Sequence, residues 1–237
     1  MRFFIPPAKT SSIPDALEDG FKPFWQHIQA IEFDHAACTR SYSCAESAAS
    51  THELVFTIKM QSAPDKTLLP GVGSHFLCNL AVGATIEALG PFEEFGVKPI
   101  SKKALVLVGA GSGMAPLKAI IDEQLTMHSQ TSLEARPMYF FYGARTEVDL
   151  LYADNFYQLA DQHAHFHYYP VLSKPDEKWL GAIGYAQEIL ALNLGSLGDI
   201  TQLEFYLCGP QGMMDEVITL LKAKGVSDED IRFDLFK

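Results

Sequence analysis

From Lys103 onward the apolar positions alternate between two rhythms. Ala104–Val108 is an unbroken apolar run, which suits a parallel strand covered on both faces. Leu117, Ile120, Ile121 and Leu125 then recur at helical spacing, on one face of a helix predicted over Met114–Met127. The alternation continues downstream. It predicts strands over Met138–Tyr142, His165–Val171, Leu203–Cys208 and Ile231–Phe236, and helices over Ala153–Gln162, Ile183–Leu192 and Gly212–Lys224. Strands and helices taking turns in this way argue for a parallel sheet with helices on both faces. The connections are short except for Leu172–Ala182, which carries Pro175 and Trp179 and is long enough to form a lid.

Before Pro99 the rhythm is different. Leu54–Met60 alternates around Val55, Phe56 and Ile58, and predicts a strand. Arg2–Ile5, ended by Pro6-Pro7, and Thr85–Leu89, closed by Gly90-Pro91, predict two more. Phe24, Trp25 and Ile28 mark a short helix face within Phe21–Ile31, and Pro64-Asp65 marks a turn. Short strands separated by turns suggest an antiparallel barrel or sandwich. The expected fold is therefore two domains of mixed class: an α+β part with a partial antiparallel β-barrel over residues 1–98, then a Rossmann-like parallel α/β sheet over residues 99–237.

Composition narrows the function. Of the 237 residues, 48% are hydrophobic, so a substantial core can form; 29 acidic against 18 basic residues leave a net charge of −11. That balance argues against nucleic acid or an anionic membrane as partner. The four cysteines, Cys38, Cys44, Cys78 and Cys208, form no C-x-x-C pair and no zinc or iron–sulfur spacing, so no metal site is expected. No signal peptide and no membrane-length apolar run is present, which predicts a cytoplasmic protein with free thiols.

Candidate chemistry sits at the turns. Gly109, Gly111 and Gly113 follow the first parallel strand, and Pro116 suits a first helical turn. This strand-to-helix turn is either a tight connection or a phosphate site at a helix start. Leu207-Cys208-Gly209-Pro210 makes a second such turn, expected beside the first, so that the Cys208 thiol could face a nicotinamide. Between them, Tyr142-Gly143-Ala144-Arg145-Thr146 ends another strand; Glu147 or Asp149 could accept from a ribose diol, and no Arg/Lys cluster follows for a 2′-phosphate, which favours NADH over NADPH. Upstream, Arg40-Ser41-Tyr42-Ser43 reads either as a surface turn or as a flavin site. In the second case Arg40 pairs with a pyrophosphate, Tyr42 packs on a flat ring and Ser43 donates to a ring atom. Pro70-Gly71-Val72-Gly73-Ser74 is likewise either a turn or a nest of backbone N–H groups for phosphate oxygens. His163, His165 and His167 have strand-like spacing that puts the latter two on one face, as an edge cluster or a metal pair.

Taken in order, RSYS, PGVGS, GPFEEF, GAGSGMAP, YGART, CGP and a C-terminal aromatic resemble the ferredoxin–NADP⁺ reductase superfamily. The match is nearest to the flavin domain of the F subunit of sodium-translocating NADH:quinone oxidoreductases, and runs from about Phe3 to the end. The resemblance implies FAD and NADH as cofactors. It implies that Arg40 binds the flavin pyrophosphate, Tyr42 packs on the isoalloxazine and Ser43 lies near N5. Gly71, Gly73 and Ser74 would hold FAD phosphates. Gly109, Gly111 and Gly113 would line the NADH channel, joined by Arg145, Asp149, Gly209 and Pro210. Cys208 would sit near the nicotinamide C4, with Phe236 shielding the other flavin face.

The sequence departs from that pattern in three places. Only 39 residues precede Arg40, so the first barrel strands are expected from a partner chain, from a second copy or from beyond a truncation. The family's ferredoxin domain and membrane anchor have no counterpart, and Glu93 stands where glycine is usual. The implied activity is hydride transfer from NADH to flavin, then electron transfer to an acceptor such as an iron–sulfur protein or a quinone-reductase partner, in the cytoplasm or peripherally on the inner face of the cell membrane. Two alternatives stay open: a degenerate NAD-binding or assembly subunit with little FAD binding, and the reductase component of a bacterial oxygenase.

Overall fold

The computed structural model describes residues 1–13, 30–46, 53–63, 68–92, 95–98, 101–130 and 134–235. The expected Phe21–Ile31 helix, the Pro64-Asp65 turn, Glu93 and Phe236 lie outside or mostly outside these residues. The chain divides into two compact units: Met1–Ser43 with Phe56–Phe92, and Cys44–Val55 with Glu93–Lys237.

The first unit is built from β1 (Arg2–Ile5), β2 (Ala8–Ser11), β3 (Glu32–His35), β4 (Cys38–Ser41), α1 (Val72–Cys78) and β5 (Ala88–Leu89). β1 lies between β4 and β5 in an antiparallel sheet, and β2 pairs with β3. Phe3 and Ile5 point inward from β1 while Phe4 between them is exposed, the period-two pattern of a half-buried strand. Phe3 packs edge-on against Phe56 with centroids 5.1 Å apart. Two expectations change here. Leu54–Met60 is not a ladder strand: within it only Phe56 forms an isolated bridge. Alternating hydrophobicity sets a face, but a strand also needs a neighbour to pair with. The glycine-rich stretch after Pro70 is already helical from Val72, because the Gly71 carbonyl accepts from the His75 N–H at 3.1 Å and starts the turn.

The second unit holds β6 (Ala104–Ala110), α2 (Met114–Gln130), β7 (Met138–Ala144), α3 (Ala153–Gln162), β8 (Phe166–Leu172), β9 (Ala182–Ile183), α4 (Ala186–Asn193), β10 (Leu203–Cys208), α5 (Gln211–Ala223) and β11 (Ile231–Asp234). All six strands are parallel, in the order β11-β10-β6-β7-β8-β9. The unbroken apolar run of β6 is explained by its two faces. Leu105 and Leu107 join one core with Leu117, Ile121, Phe140 and Phe156; Val106 and Val108 join another with Phe205, Leu207, Val217 and Leu221. The predicted helix from Ile183 instead begins at Ala186. Ile183 pairs with Leu172 in β9, and Gly184, at φ +128°, ends that strand before the Glu188 carboxylate accepts from the Tyr185 N–H at 2.9 Å.

Segment 44–55 belongs to this second unit, although sequence pattern groups it with the first. Ala45 is fully buried in the β6–α2 core and its N–H donates to the Val55 carbonyl at 2.8 Å. The unit also takes in Phe95, whose ring meets Tyr206 edge-on at 5.9 Å, ahead of the expected boundary at 98/99.

Candidate functional site

The parallel sheet reverses its winding between β6 and β10: the chain runs outward through β7 and β8, then returns to the other side of β6. Ligands of open α/β sheets bind outside the carboxyl ends of the strands at such a point. Both glycine turns lie there. Cys208 pairs with Gly109 across the β10–β6 ladder. A Cβ added to Gly113 would lie 2.3 Å from the Cys208 carbonyl oxygen and 2.8 Å from Gly209 Cα, and one added to Gly209 would lie 3.1 Å from the Ala110 nitrogen. The two turns therefore touch through bare backbone, and only glycine permits that approach. Gly111, at φ +55°, adopts the left-handed conformation that favours glycine, and the turn Gly111–Gly113 feeds directly into α2. The first N–H groups of this long helix have no intrahelical partner and suit a phosphate. Pro210 opens α5, where its carbonyl accepts from the Met214 N–H at 3.2 Å.

Tyr142, at the carboxyl end of β7, has a role that its place at the head of the YGART stretch does not announce. Its hydroxyl donates to the Gly111 carbonyl at 3.1 Å and accepts from the Leu151 N–H at 3.3 Å. Burial, then the nearby Asp149 charge, raise its pKa, so it stays a neutral strut that holds the glycine turn against the β7 loop. The signal available in sequence is a polar-tipped aromatic at the end of a buried strand.

The β7 loop uses its acid locally. One Asp149 carboxylate oxygen accepts from the Thr146 N–H at 3.0 Å and from the Thr146 hydroxyl at 2.7 Å, which caps the short turn Glu147–Asp149. Arg145 is exposed, and its carbonyl accepts from the Lys174 N–H at 2.8 Å, tying this loop to the one after β8. The expected lid, Leu172–Ala182, is pinned: the Trp179 indole donates to the Ala182 carbonyl at 3.0 Å and packs on the core. The Cys208 thiol is fully buried in the β6–α2 core, and burial, then Asp234, push its pKa up, so it is an uncharged group.

The histidines sort differently from their spacing. The His165 ring meets His128 of α2 at 5.1 Å and His163 at 5.7 Å, while His167 stacks on Tyr139. Strand spacing failed here because His163 caps α3 and only His167 lies within β8. Among the described residues no group of three or more His, Cys, Asp or Glu is arranged to hold a metal ion.

In the first unit, Arg40, Tyr42 and Gly73 come together. A Cβ on Gly73 would lie 2.6 Å from Arg40 Cγ and 2.8 Å from the Tyr42 hydroxyl oxygen. Arg40 is exposed and donates to the Thr39 carbonyl at 2.8 Å. The Tyr42 ring packs edge-on to Phe3 at 6.0 Å, and burial pushes its phenol up to about 12. The Gly71 N–H donates to the Gln61 carbonyl at 2.8 Å. The Ser74 hydroxyl donates to the Gly71 carbonyl at 3.0 Å and accepts from the Gln61 N–H at 3.1 Å, so it is spent on the turn. Ser43 is half-buried. An exposed guanidinium, an uncharged phenol ring and a helix start carrying Gly71 and Gly73 fit the pyrophosphate and ring of a flavin nucleotide. A separate cleft of about 740 Å³, lined by Phe4, Ile5, Pro6, Thr39, Phe76 and Glu87 among others, includes none of the predicted site residues.

Paired glycine turns at the switch point of a parallel sheet define a dinucleotide-binding α/β domain, here accompanied by antiparallel sheets. Residues 107–218 match the family of oxidoreductase NAD-binding domains. The chain is 30% identical over 235 residues to the F subunit of the Na(+)-translocating NADH-quinone reductase of Actinobacillus pleuropneumoniae, covering 96% of this chain and 56% of that one. It is 31% identical over 221 residues to the corresponding protein of Yersinia pseudotuberculosis, covering 90% and 53%. Thus the chain spans about half the length of the curated relatives it matches. Its fold superposes on the cytochrome P450 reductase of Amycolatopsis with a TM-score of 0.69 at 25% identity, covering 84% of this chain and 56% of that one. It also superposes on the flavohem-like FAD/NAD-binding domain of nitric oxide dioxygenase from Vibrio cholerae with a TM-score of 0.66 at 21% identity, covering 99% and 82%. In its matched domain and in its fold the chain is similar to the ferredoxin–NADP⁺ reductase superfamily.

Proposed function

We propose that this chain is an FAD-dependent NADH oxidoreductase that hands electrons to a separate iron–sulfur acceptor protein. The observation that carries the reading is the backbone-to-backbone approach of the Gly113 and Cys208–Gly209 turns, which sets two glycine turns side by side at the switch point where such sheets take a dinucleotide. When bound, FAD supplies the hydride acceptor and the one-electron donor.

The chain's own residues bind and orient. Gly109, Gly111 and Gly113 let NADH approach the α2 start, with Gly209 and Pro210 on the neighbouring turn. Arg145 lies at the adenosine end, and Asp149 shapes that loop through its cap on Thr146 rather than through a free carboxylate. Arg40 neutralises the flavin pyrophosphate, and Tyr42, uncharged up to about pH 12, packs on the ring system. Gly73 lets Arg40 and Tyr42 close on the helix start, which Gly71 and Ser74 shape. Ser43 donates near the flavin N5. Cys208, its uncharged thiol packed in the core, fixes the turn beside the nicotinamide. No acid or base is needed, because alignment carries the catalysis.

A second reading, an NAD-binding or assembly subunit with weak FAD binding, is favoured by one feature: the Ser74 hydroxyl is committed within its own turn. The likeness to the Amycolatopsis reductase keeps an oxygenase partner as a third. The relatives' names place them in a sodium-translocating complex, which supports peripheral attachment; among the described residues no helix is long and apolar enough to cross a membrane. Titration with FAD, followed by anaerobic NADH, separates the readings. The enzyme turns yellow and then bleaches at about 450 nm, in the absorption band of the bound flavin. A protein that stays colourless with excess FAD contradicts the first reading.

A further inference from the structure

One charged cluster, centred on a buried lysine, lies outside the candidate site. Lys118 lies in the second turn of α2 with its side chain only 6% exposed. Its ammonium donates to an Asp122 carboxylate oxygen at 2.7 Å and to Glu46 at 3.3 Å, and sits 5.1 Å from the centroid of the Tyr152 ring. Burial opposes the charge, but the hydrogen bond and charge of Asp122, then those of Glu46, outweigh it and hold the lysine above its ordinary pKa. Asp122 is raised by burial, with Lys118 working against that shift. Stripping water from such ions costs on the order of several kcal/mol each before their attraction returns it, so a cluster of this kind is a poor source of stability. What it does supply is fixed geometry.

The geometry it fixes belongs to the stretch immediately after R-x-Y-S. Ala45 is fully buried in the core beneath α2, its N–H is bound to the Val55 carbonyl, and Glu46 is held by Lys118. Two successive residues, Ala45 and Glu46, are thus fastened two and three steps downstream of Ser43. On the far side of the ammonium, Tyr152 is the one non-glycine residue with positive φ, +58°, among the described residues. A bulky residue in that conformation is strained, and it persists only where its surroundings insist on it. The tyrosine ring meets the charge at cation–π distance, so the strained residue completes the clamp.

We propose that Lys118 is a positioning residue for hydride transfer: with Asp122, Glu46 and Tyr152 it clamps Ala45 and Glu46 to α2 and thereby restrains the backbone that follows Ser43. The proposal rests on the function given above. A clamp acting through Ser43 alters the rate of the aligned step and leaves the affinities alone.

The test compares Lys118→Met, Lys118→Arg and Glu46→Gln with the wild-type chain, each loaded with FAD. Under saturating NADH, flavin bleaching in Lys118→Met slows about tenfold, while FAD retention and the NADH concentration for half-saturation change less than about twofold. Lys118→Arg restores the rate to within about threefold, since it keeps the charge. Glu46→Gln, altered at the half-exposed partner, slows bleaching about threefold and keeps the fold if Lys118→Met does not accumulate. Amide exchange gives a readout independent of turnover: the Ala45 N–H exchanges about tenfold faster in Lys118→Met and Glu46→Gln, with β6 unchanged. Bleaching within twofold of wild type in Lys118→Met, or unchanged Ala45 exchange, overturns the proposal (both thresholds being about the resolution of such comparisons). Faster exchange spread evenly through β6 and α2 also overturns it, by making Lys118 a residue of general stability. If NADH fails to bleach the wild-type chain, the oxidoreductase reading falls instead, and Ala45 exchange still decides whether the clamp exists.

Discussion

The two units use glycine against different obstacles. At Gly113 the space a Cβ would need is filled by the backbone of Cys208 and Gly209; at Gly73 it is filled by the side chains of Arg40 and Tyr42. Backbone in a central parallel ladder cannot retreat, whereas an exposed arginine and a half-buried tyrosine can turn aside. The nucleotide turn of the second unit is therefore defined by the fold itself. The corner in the first unit is defined by side chains, and its shape belongs more to binding than to stability.

Substitutions should separate these two kinds of glycine, and the largest effect belongs to Gly113→Ala. Its Cβ strikes the Cys208 carbonyl, so urea unfolding should show a loss of about 3 kcal/mol, the upper part of the over-packing range, together with lost NADH binding. A soluble Gly113→Ala protein with unchanged unfolding would erase the contrast. Next, Tyr42→Ala removes the ring expected on the flavin; FAD retention after gel filtration should fall about tenfold or more. Gly73→Ala should cost only about 1 kcal/mol while weakening FAD binding by a similar factor to Tyr42→Ala. Equal stability losses in Gly73→Ala and Gly113→Ala would contradict the comparison.

Smaller effects lie deeper in the second unit. Cys208→Ala leaves a small void in a fully buried place, at about 1 kcal/mol, and should slow flavin reduction by NADH while FAD stays bound. The smallest effect concerns His165, whose pKa is lowered by burial, then by His128, His163 and His167. A histidine depressed in the folded state contributes stability above its unfolded pKa, near 6.5, and loses it as the pH falls below that value. Unfolding midpoints should therefore drop between roughly pH 7 and pH 5, by less in His165→Gln than in wild type. A parallel decline in both would place the acid sensitivity elsewhere.

How much of this could be read from sequence follows the same division. β6 and β10 are buried on both faces, so their apolar runs and the glycines that end them are sufficient to place two turns side by side. The first unit offers strands of two to four residues, too short for a period to declare itself. The run after Pro70 has turn composition, yet a carbonyl–amide bond from Gly71 makes it a helix. Asp149 and Ser74 are candidates for chemistry that residue type allows, and both prove committed to local hydrogen bonds that no spacing reveals. Lys118 and Glu46 meet across 72 residues, a pairing that exists only once α2 and the stretch after Ser43 share a core. Phe236 and Glu93 lie outside the described residues.

If this chain holds a flavin, NADH should deliver hydride to it with no intermediary. Stopped-flow mixing of the FAD-loaded protein with NADH deuterated at the nicotinamide C4, under anaerobic conditions, decides the matter. Flavin bleaching should run in a single phase, slowed about threefold or more on the transferred-hydrogen side and unaffected on the other, because alignment fixes which face reacts. Bleaching with no isotope dependence on either side, or none at all with FAD demonstrably bound, would contradict direct transfer.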